Sequence, residues 1–300
     1  MSTPVPVVEE TGRRRRTPPP PPPPKESGLV VSSALTVIAL VCLWLVVHLL
    51  VLGTLSHDRA QSLLRGELRQ QLAAATAPVG PTIEPGDPVA FVDIPALDVD
   101  EVVVEGTAAG DLFAGPGHRR DTVLPGQVGS SIVYGRSTTY GAPFRHLADL
   151  GVGDVVKVTM AQGEITFRVI SVRRDGDRLP QPAAAGAARL TLVTAAGKGR
   201  FGDLMPGGTV YVDAEAAQGF PSPGGYSPVV PESEEAMKSG TEALPLLTLW
   251  LALLIVLVVA TIIARQRWTR GQVWVVAVAP LLAMSWLVTD TAMRLLPNLI

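Results

Sequence analysis

Three hundred residues with 47% hydrophobic content, a mean hydropathy of +0.31 and a formal net charge of −2 are too apolar for an ordinary soluble domain. The same balance excludes the basic surface that nucleic-acid phosphates require. A single cysteine, Cys42, excludes an intramolecular disulfide, and its place in an apolar run suits a small residue of a membrane helix.

Residues 1–28 carry seven consecutive prolines, Pro18–Pro24, after an arginine cluster at Arg13–Arg16. Such a run favours extended polyproline II and builds no core, so the segment reads as a disordered cytoplasmic tail. From Ser27 to His57 no Asp, Glu, Lys or Arg occurs. Its centre, residues 29–52, is long enough to cross a ~30 Å hydrocarbon layer and longer than a signal-peptide apolar core, which predicts an uncleaved helical anchor. Positive flanks stay in the cytoplasm, so the arginines before this span put the N-terminus inside and the following region outside.

Residues 53–88 read as a stalk and linker. Leu63, Leu64, Leu68 and Leu72 recur at helical spacing among charges, which predicts an amphipathic helix packed on the domain or on a second copy. The hinge APVGPTIEPGDP comes next. Over residues 89–214 the pattern changes to short runs of period two: VAFVDIP, VDEVVVEG, SIVYG, DVVKVTM, EITFRVISVRR, RLTLVTA and TVYVDA. Turn residues and brief helical pieces, AGDLFAG and PFRHLADL, separate them, and the whole predicts an all-β barrel or sandwich of seven or eight strands.

A Pro/Gly/Ser linker over residues 215–242 leads to two further apolar runs, residues 243–264 and 271–289, read as membrane helices. Pro280 lies in the second, which a membrane helix tolerates. Arg265, Arg267 and Arg270 put the connection between them inside. Trp250, Trp268, Trp274 and Trp286 suit interfacial anchoring, and Asp290 and Arg294 can pair just past the last span.

The β region holds only two histidines, His118 and His146, and no CxxC, HExxH, GxSxG or phosphate loop, so no metal or cofactor is expected. Its carboxylates lie among turns and strand ends and read as solvated. His118 reads as a structural residue hydrogen-bonded in a turn, and His146 as exposed. Thr194, Ser130, Ser131 and Ser137 offer hydroxyls without an evident base.

Four stretches in order, VDIPALDVDEVVVEG, DLFAGPGHRRDTVLPGQVGSSIVYG, TTYGAPFRHLADLGVGDVVKV and RLTLVTA, resemble the sortases, cysteine transpeptidases of Gram-positive-type cell envelopes. The resemblance implies a sortase-like eight-stranded β-barrel outside the membrane, here with one N-terminal and two C-terminal transmembrane helices, the latter not usual in that layout. It implies a plasma-membrane location facing the wall. The partners it suggests, besides membrane lipid, are a sorting-signal peptide, a cell-wall precursor, an active sortase or another membrane protein.

Sortases cut sorting signals, often LPXTG-like, with a thiolate at the end of a TLTTC-like strand. A histidine in a GHR-like segment carries the proton and an arginine near the last strand supports the oxyanion. By resemblance these positions hold Ala195 in TLVTA, Arg136 in GRS and Thr209 in GGTVYVDA. A methyl group forms no acyl-enzyme and a guanidinium shuttles no proton near neutral pH, so the resemblance implies a pseudoenzyme that binds without cutting. The expected groove comprises Arg136, Thr138, Tyr140, Thr194, Ala195 and Arg200, with Arg136 paired to a carboxylate of the ligand, or else salt-bridged to a carboxylate of the domain or simply exposed. Two other readings stand beside it: an enzyme with a nucleophile other than cysteine, and a membrane-assembly protein whose C-terminal helices are the interacting part.

Overall fold

The computed structural model describes residues 39, 42–196, 208–267 and 269–300. The N-terminal tail, residues 29–38, 40 and 41 of the first apolar run, Arg200 and Trp268 lie outside the described residues. Residues 45–300 form one compact unit.

Eight strands form a closed barrel: β1 (Pro88–Ile94), β2 (Val99–Glu105), β3 (Gly117–His118), β4 (Gly129–Tyr134), β5 (Val155–Met160), β6 (Gly163–Arg174), β7 (Ala188–Ala196) and β8 (Gly208–Ala216). Their order around the barrel is β1-β2-β3-β4-β7-β8-β6-β5, with β5 returning to β1. The pairs β2/β3 and β4/β7 are parallel and the rest antiparallel.

The period-two runs explain the interior. Val92 and Ile94 of β1, Val156 and Val158 of β5, Phe167 and Val169 of β6, Leu190 and Leu192 of β7, and Val210 and Val212 of β8 form one buried core. Each such side chain contributes about 1.5–3 kcal/mol by leaving water. All seven expected runs are strands, and β3 is the eighth, a two-residue strand too short to show a period. The two expected helical pieces are single 3-10 turns, Asp111–Phe113 and Leu147–Asp149.

The stalk is helix α1 (Gly53–Ala73), and it packs on the barrel. The expected leucine stripe needs correction. Leu64 and Leu68 are buried against Val102 and Val104, whereas Leu63 is 65% exposed. Polar residues complete the docked face. Gln61 donates Nε2 to the main-chain oxygens of Val102 (3.1 Å) and Ala114 (2.7 Å), and its Oε1 accepts from Val102 N at 2.8 Å. The amide therefore does for β2 what a neighbouring strand would do. His57, 2% exposed, places Nε2 3.1 Å from Glu101 Oε1.

Residues 215–242 are more than a linker. Phe220 N donates to Gly126 O (2.9 Å), Phe220 O accepts from Val128 N (2.8 Å), and the ring packs on the barrel core. Farther on, Glu234 is buried and paired with Arg120.

Helices α2 (Leu244–Arg267) and α3 (Arg270–Met293) pack side by side. Both are long and apolar enough to cross a membrane, and their apolar windows are almost wholly exposed. Thr269 and Gln272 form a capping box at the start of α3, and Pro280 sits inside it without ending it. The two free ends of the hairpin meet. Gly240 N donates to Arg294 O at 2.9 Å, and Ser239 forms an isolated antiparallel bridge with Pro297. The expected pair of Asp290 and Arg294 is present at 3.9 Å.

Candidate functional site

Strand β4 carries the chain to Gly135, whose N donates to Val193 O at 2.9 Å. Thr194 Oγ1 donates to Gly135 O at 2.9 Å, so the start of the 135–142 loop is tied to the end of β7. On the other side of β7, Ala195 faces Thr209 of β8 in register. One end of the barrel thereby collects Arg136, Thr194, Ala195 and Thr209.

Alternation along β7 divides these groups. Leu190 and Leu192 face the interior, and Val193 and Ala195 join a second apolar cluster with Leu112, Tyr134 and Leu299. Thr194, as expected, takes the other face from Ala195, and its hydroxyl is spent on Gly135. Thr209 is held by Asp175, which accepts from its N (2.8 Å) and hydroxyl. Those Thr209 bonds hold the Asp175 carboxyl below its ordinary range.

Arg136 is fully buried. Its Nη1 donates to Ile300 O (2.5 Å) and Thr139 Oγ1 (2.9 Å), and Nη2 donates to Ala109 O (3.0 Å). The guanidinium carbon lies 4.6 Å from the Phe113 ring centroid and 5.4 Å from that of Tyr140. The two rings stack at 4.0 Å. Among the described residues no Asp or Glu side chain lies within 4 Å of the group, which corrects the expected pairing with a domain carboxylate. Burial lowers the Arg136 pKa to about 9, still above neutral pH, so the side chain remains a cation and a donor.

Tyr140 is buried, its hydroxyl has no hydrogen-bond partner among the described residues, and burial raises its pKa. It begins three consecutive left-handed residues, Tyr140 (φ 50), Gly141 (φ 76) and Ala142 (φ 47). Two non-glycine residues in that region cost about 1–3 kcal/mol each. The loop they form meets α1: a side chain at Gly141 would strike the His57 ring, and one at Gly53 would touch Tyr140. Thr138 is half-buried, with Oγ1 3.2 Å from Ser137 Oγ.

No motif in the sequence marks what fills this end of the barrel. After α3 the chain turns back, and Asn298 and Leu299 are both 0% exposed. Asn298 N donates to Lys238 O at 2.9 Å, and its Nδ2 donates to Thr107 O (2.8 Å) and Glu235 O (2.9 Å). Ser137 donates both N (2.9 Å) and Oγ (3.1 Å) to Leu299 O, and Thr139 Oγ1 donates to Ile300 O at 2.6 Å. The Leu299 side chain completes the apolar cluster that contains Ala195.

The remaining candidates lie elsewhere. His118 is fully buried in β3, with Nδ1 2.8 Å from Glu105 Oε2 and Nε2 2.9 Å from Val123 O. Glu105, Asp213 and Glu234 are each at most 2% exposed, which corrects the reading of the carboxylates as solvated. Asp213 accepts from Arg173, Ser171 and Thr191. His146 is exposed beside Asp149. Among the described residues the buried Ser131 Oγ has no hydrogen-bond partner. Among the described residues no three metal-ligating side chains cluster.

Residues 92–200 match the Sortase domain family model. Over 90 residues, 30% of this chain, the sequence is 30% identical to sortase D of Bacillus subtilis (strain 168), and the match spans 44% of that relative's length. Among solved structures, a Clostridium perfringens sortase D5 transpeptidase is similar over 53% of this chain and 97% of its own, with 20% identity and a TM-score of 0.42. A sortase of Actinomyces oris is similar over 52% and 92%, with 24% identity and a TM-score of 0.40. The closed eight-stranded barrel expected from the resemblance is the fold observed.

Proposed function

We propose that this chain is a membrane-held sortase-like protein that has lost transpeptidation and uses the end of its barrel to bind an extended peptide. The domain match over residues 92–200 supports the sortase frame. The chemistry of the cleft supports the loss. Acyl transfer needs a nucleophile with a lone pair and a group that accepts its proton. The penultimate residue of β7 is Ala195, and the charged group at the start of the neighbouring 135–142 loop, Arg136, has only protons to donate.

The single observation that carries the binding reading is the arrangement at Arg136. A buried cation aims Nη1 at the main-chain oxygen of Ile300, in the turn Pro297–Ile300, and the same segment's Leu299 packs in one apolar cluster with Val193 and Ala195. That combination fixes the direction of a peptide and takes an apolar side chain beside it. The apolar length of α2 and α3 supports anchoring, with the connection between them cytoplasmic and the barrel on the outer side.

The test is a turnover assay on the full chain in detergent micelles, with pooled LPXTG-like peptides and an amine acceptor, read by mass spectrometry beside an active sortase. No cleavage is expected, together with retention of a subset of peptides on the immobilised protein. Cleavage that accompanies the purified chain and survives Arg136→Ala would overturn the reading and require another nucleophile.

A further inference from the structure

We infer that Pro297–Ile300 is a built-in plug, seated where a partner peptide would lie, so that the cleft opens only when this segment leaves. The plug rests on the proposed binding role and adds its regulation.

Capping the end of helix α3 needs none of the contacts this segment makes. Helix α3 ends at Met293, and its last main-chain groups are satisfied by a local turn, with Arg294 N bonded to Thr291 O at 3.3 Å. The next residues nevertheless engage three separate parts of the chain. Asn298 is held by Thr107, Glu235 and Lys238, Leu299 O takes two donors from Ser137, and Ile300 O takes donors from Arg136 and Thr139. The bonds to Leu299 O and Ile300 O are ones that a different turn-forming segment could make, because the barrel side contributes the donors and Pro297–Ile300 only main-chain acceptors.

The cleft is also left wanting without the tail. Removing Ile300 O leaves Arg136 Nη1 with Thr139 alone, and Nε has no partner even with the tail in place. A fully buried guanidinium in that condition favours an oxygen acceptor that carries charge over one that does not. Removing Leu299 takes a fully buried member out of the apolar cluster that holds Leu112, Tyr134, Val193 and Ala195. The occupant that satisfies both demands is a peptide that turns as Pro297–Ile300 does, with an apolar side chain in the place of Leu299 followed by a carboxylate oxygen for Arg136.

The covering is wider than four residues. Ala236 and Met237 pack against the same cluster, and Lys238 O receives Asn298 N at 2.9 Å. The two segments that flank the α2–α3 hairpin therefore close the cleft together. Their mutual bond, Gly240 N to Arg294 O, makes release of one a loosening of the other.

The experiment compares the full chain in detergent micelles with its Leu299→Asp and Leu299→Gly variants, the first ejecting the tail by charge and the second by loss of the side chain. Two readouts are taken: hydrogen exchange at the Ser137 amide, and binding of a fluorescein-labelled synthetic peptide of residues 294–300 added in trans. Ser137 exchange at least about tenfold faster in both variants, with β7 amides still protected, is the expected result, with a matching gain of about tenfold or more in affinity for the added peptide. Equal Ser137 exchange in all three proteins overturns the plug. Faster Ser137 exchange without any peptide bound upholds the plug and overturns the peptide-binding reading, so the two failures are told apart.

Discussion

Arg136 and Ile300 are 164 positions apart in the chain and 2.5 Å apart in space. The contact joins the loop after β4 to the segment after α3, and it is made by a side chain with no Asp or Glu partner among the described residues. Arg136→Ala strands Ala109 O in a buried site, at about 1–3 kcal/mol, leaves Ile300 O with Thr139 alone, and takes away the packing of a fully buried side chain. A loss of about 2–4 kcal/mol in urea unfolding of the full chain is expected. Thr139→Val removes one donor and one acceptor and should lose only about 1 kcal/mol.

A thiol at the end of β7 should not revive acyl transfer. Ala195→Cys in a Cys42→Ser background supplies the nucleophile, but Arg136 still offers no proton acceptor and Leu299 still covers the position. No acyl-enzyme should be seen by mass spectrometry with LPXTG-like peptides. Alkylation by iodoacetamide should be slow, and should speed up about tenfold or more when Leu299→Asp is added.

The stalk contact is pH-sensitive. Burial pulls the His57 pKa down, but the hydrogen bond and charge of Glu101, the Phe113 main-chain oxygen and Asp58 outweigh it, and the net shift is upward from 6.5. A raised folded-state pKa means a contribution fully present below the unfolded value near 6.5 and lost as pH rises through the folded value. Thermal unfolding should therefore show a stability decline across that window, and His57→Gln should flatten it. A decline of the same size in His57→Gln would remove the histidine from the account.

Gln61→Leu tests the strand-like amide of α1. It leaves Val102 N and O buried and unpaired, at about 1–3 kcal/mol each. Limited proteolysis should cut the stalk of this variant faster while the barrel core stays intact, because the docked helix and the β sheet are separately stabilised.

Glu105→Leu and His118→Leu should each destabilise the barrel by about 1–3 kcal/mol, since either leaves its partner's polar atoms buried. The double variant should lose less than the sum of the two, measured as a coupling energy in a double-mutant cycle.

The strands were legible because one face of each is buried and a period of two records it. Strand β3 was not, since Gly117 and His118 are too few to show a period. Leu64 and Leu68 were legible on α1, but His57 and Gln61 were not, because a polar residue on a docked face looks like a solvated one until its partners across the interface are known. Glu105 and Asp213 escaped for the same reason. The expected cleft positions Arg136, Thr194, Ala195 and Thr209 do share one end of the barrel, yet their occupant was invisible. A short run such as RLLPNLI has no periodicity, and nothing local says that it pairs with residues more than 160 positions earlier.

The cleft lies where the helices leave the barrel. Gly53 of α1 approaches Tyr140, Arg294 at the end of α3 approaches Gly110, and His48 meets Trp286 edge to face at 5.1 Å. With those helices embedded in a bilayer, the opening sits at the level of the headgroups rather than out in bulk solvent. A partner reaching it would search in two dimensions, already tethered to the same sheet of lipid. Encounter would then be set by surface density and by the length of its tether, and a freely diffusing peptide of identical sequence would be a poor stand-in for it.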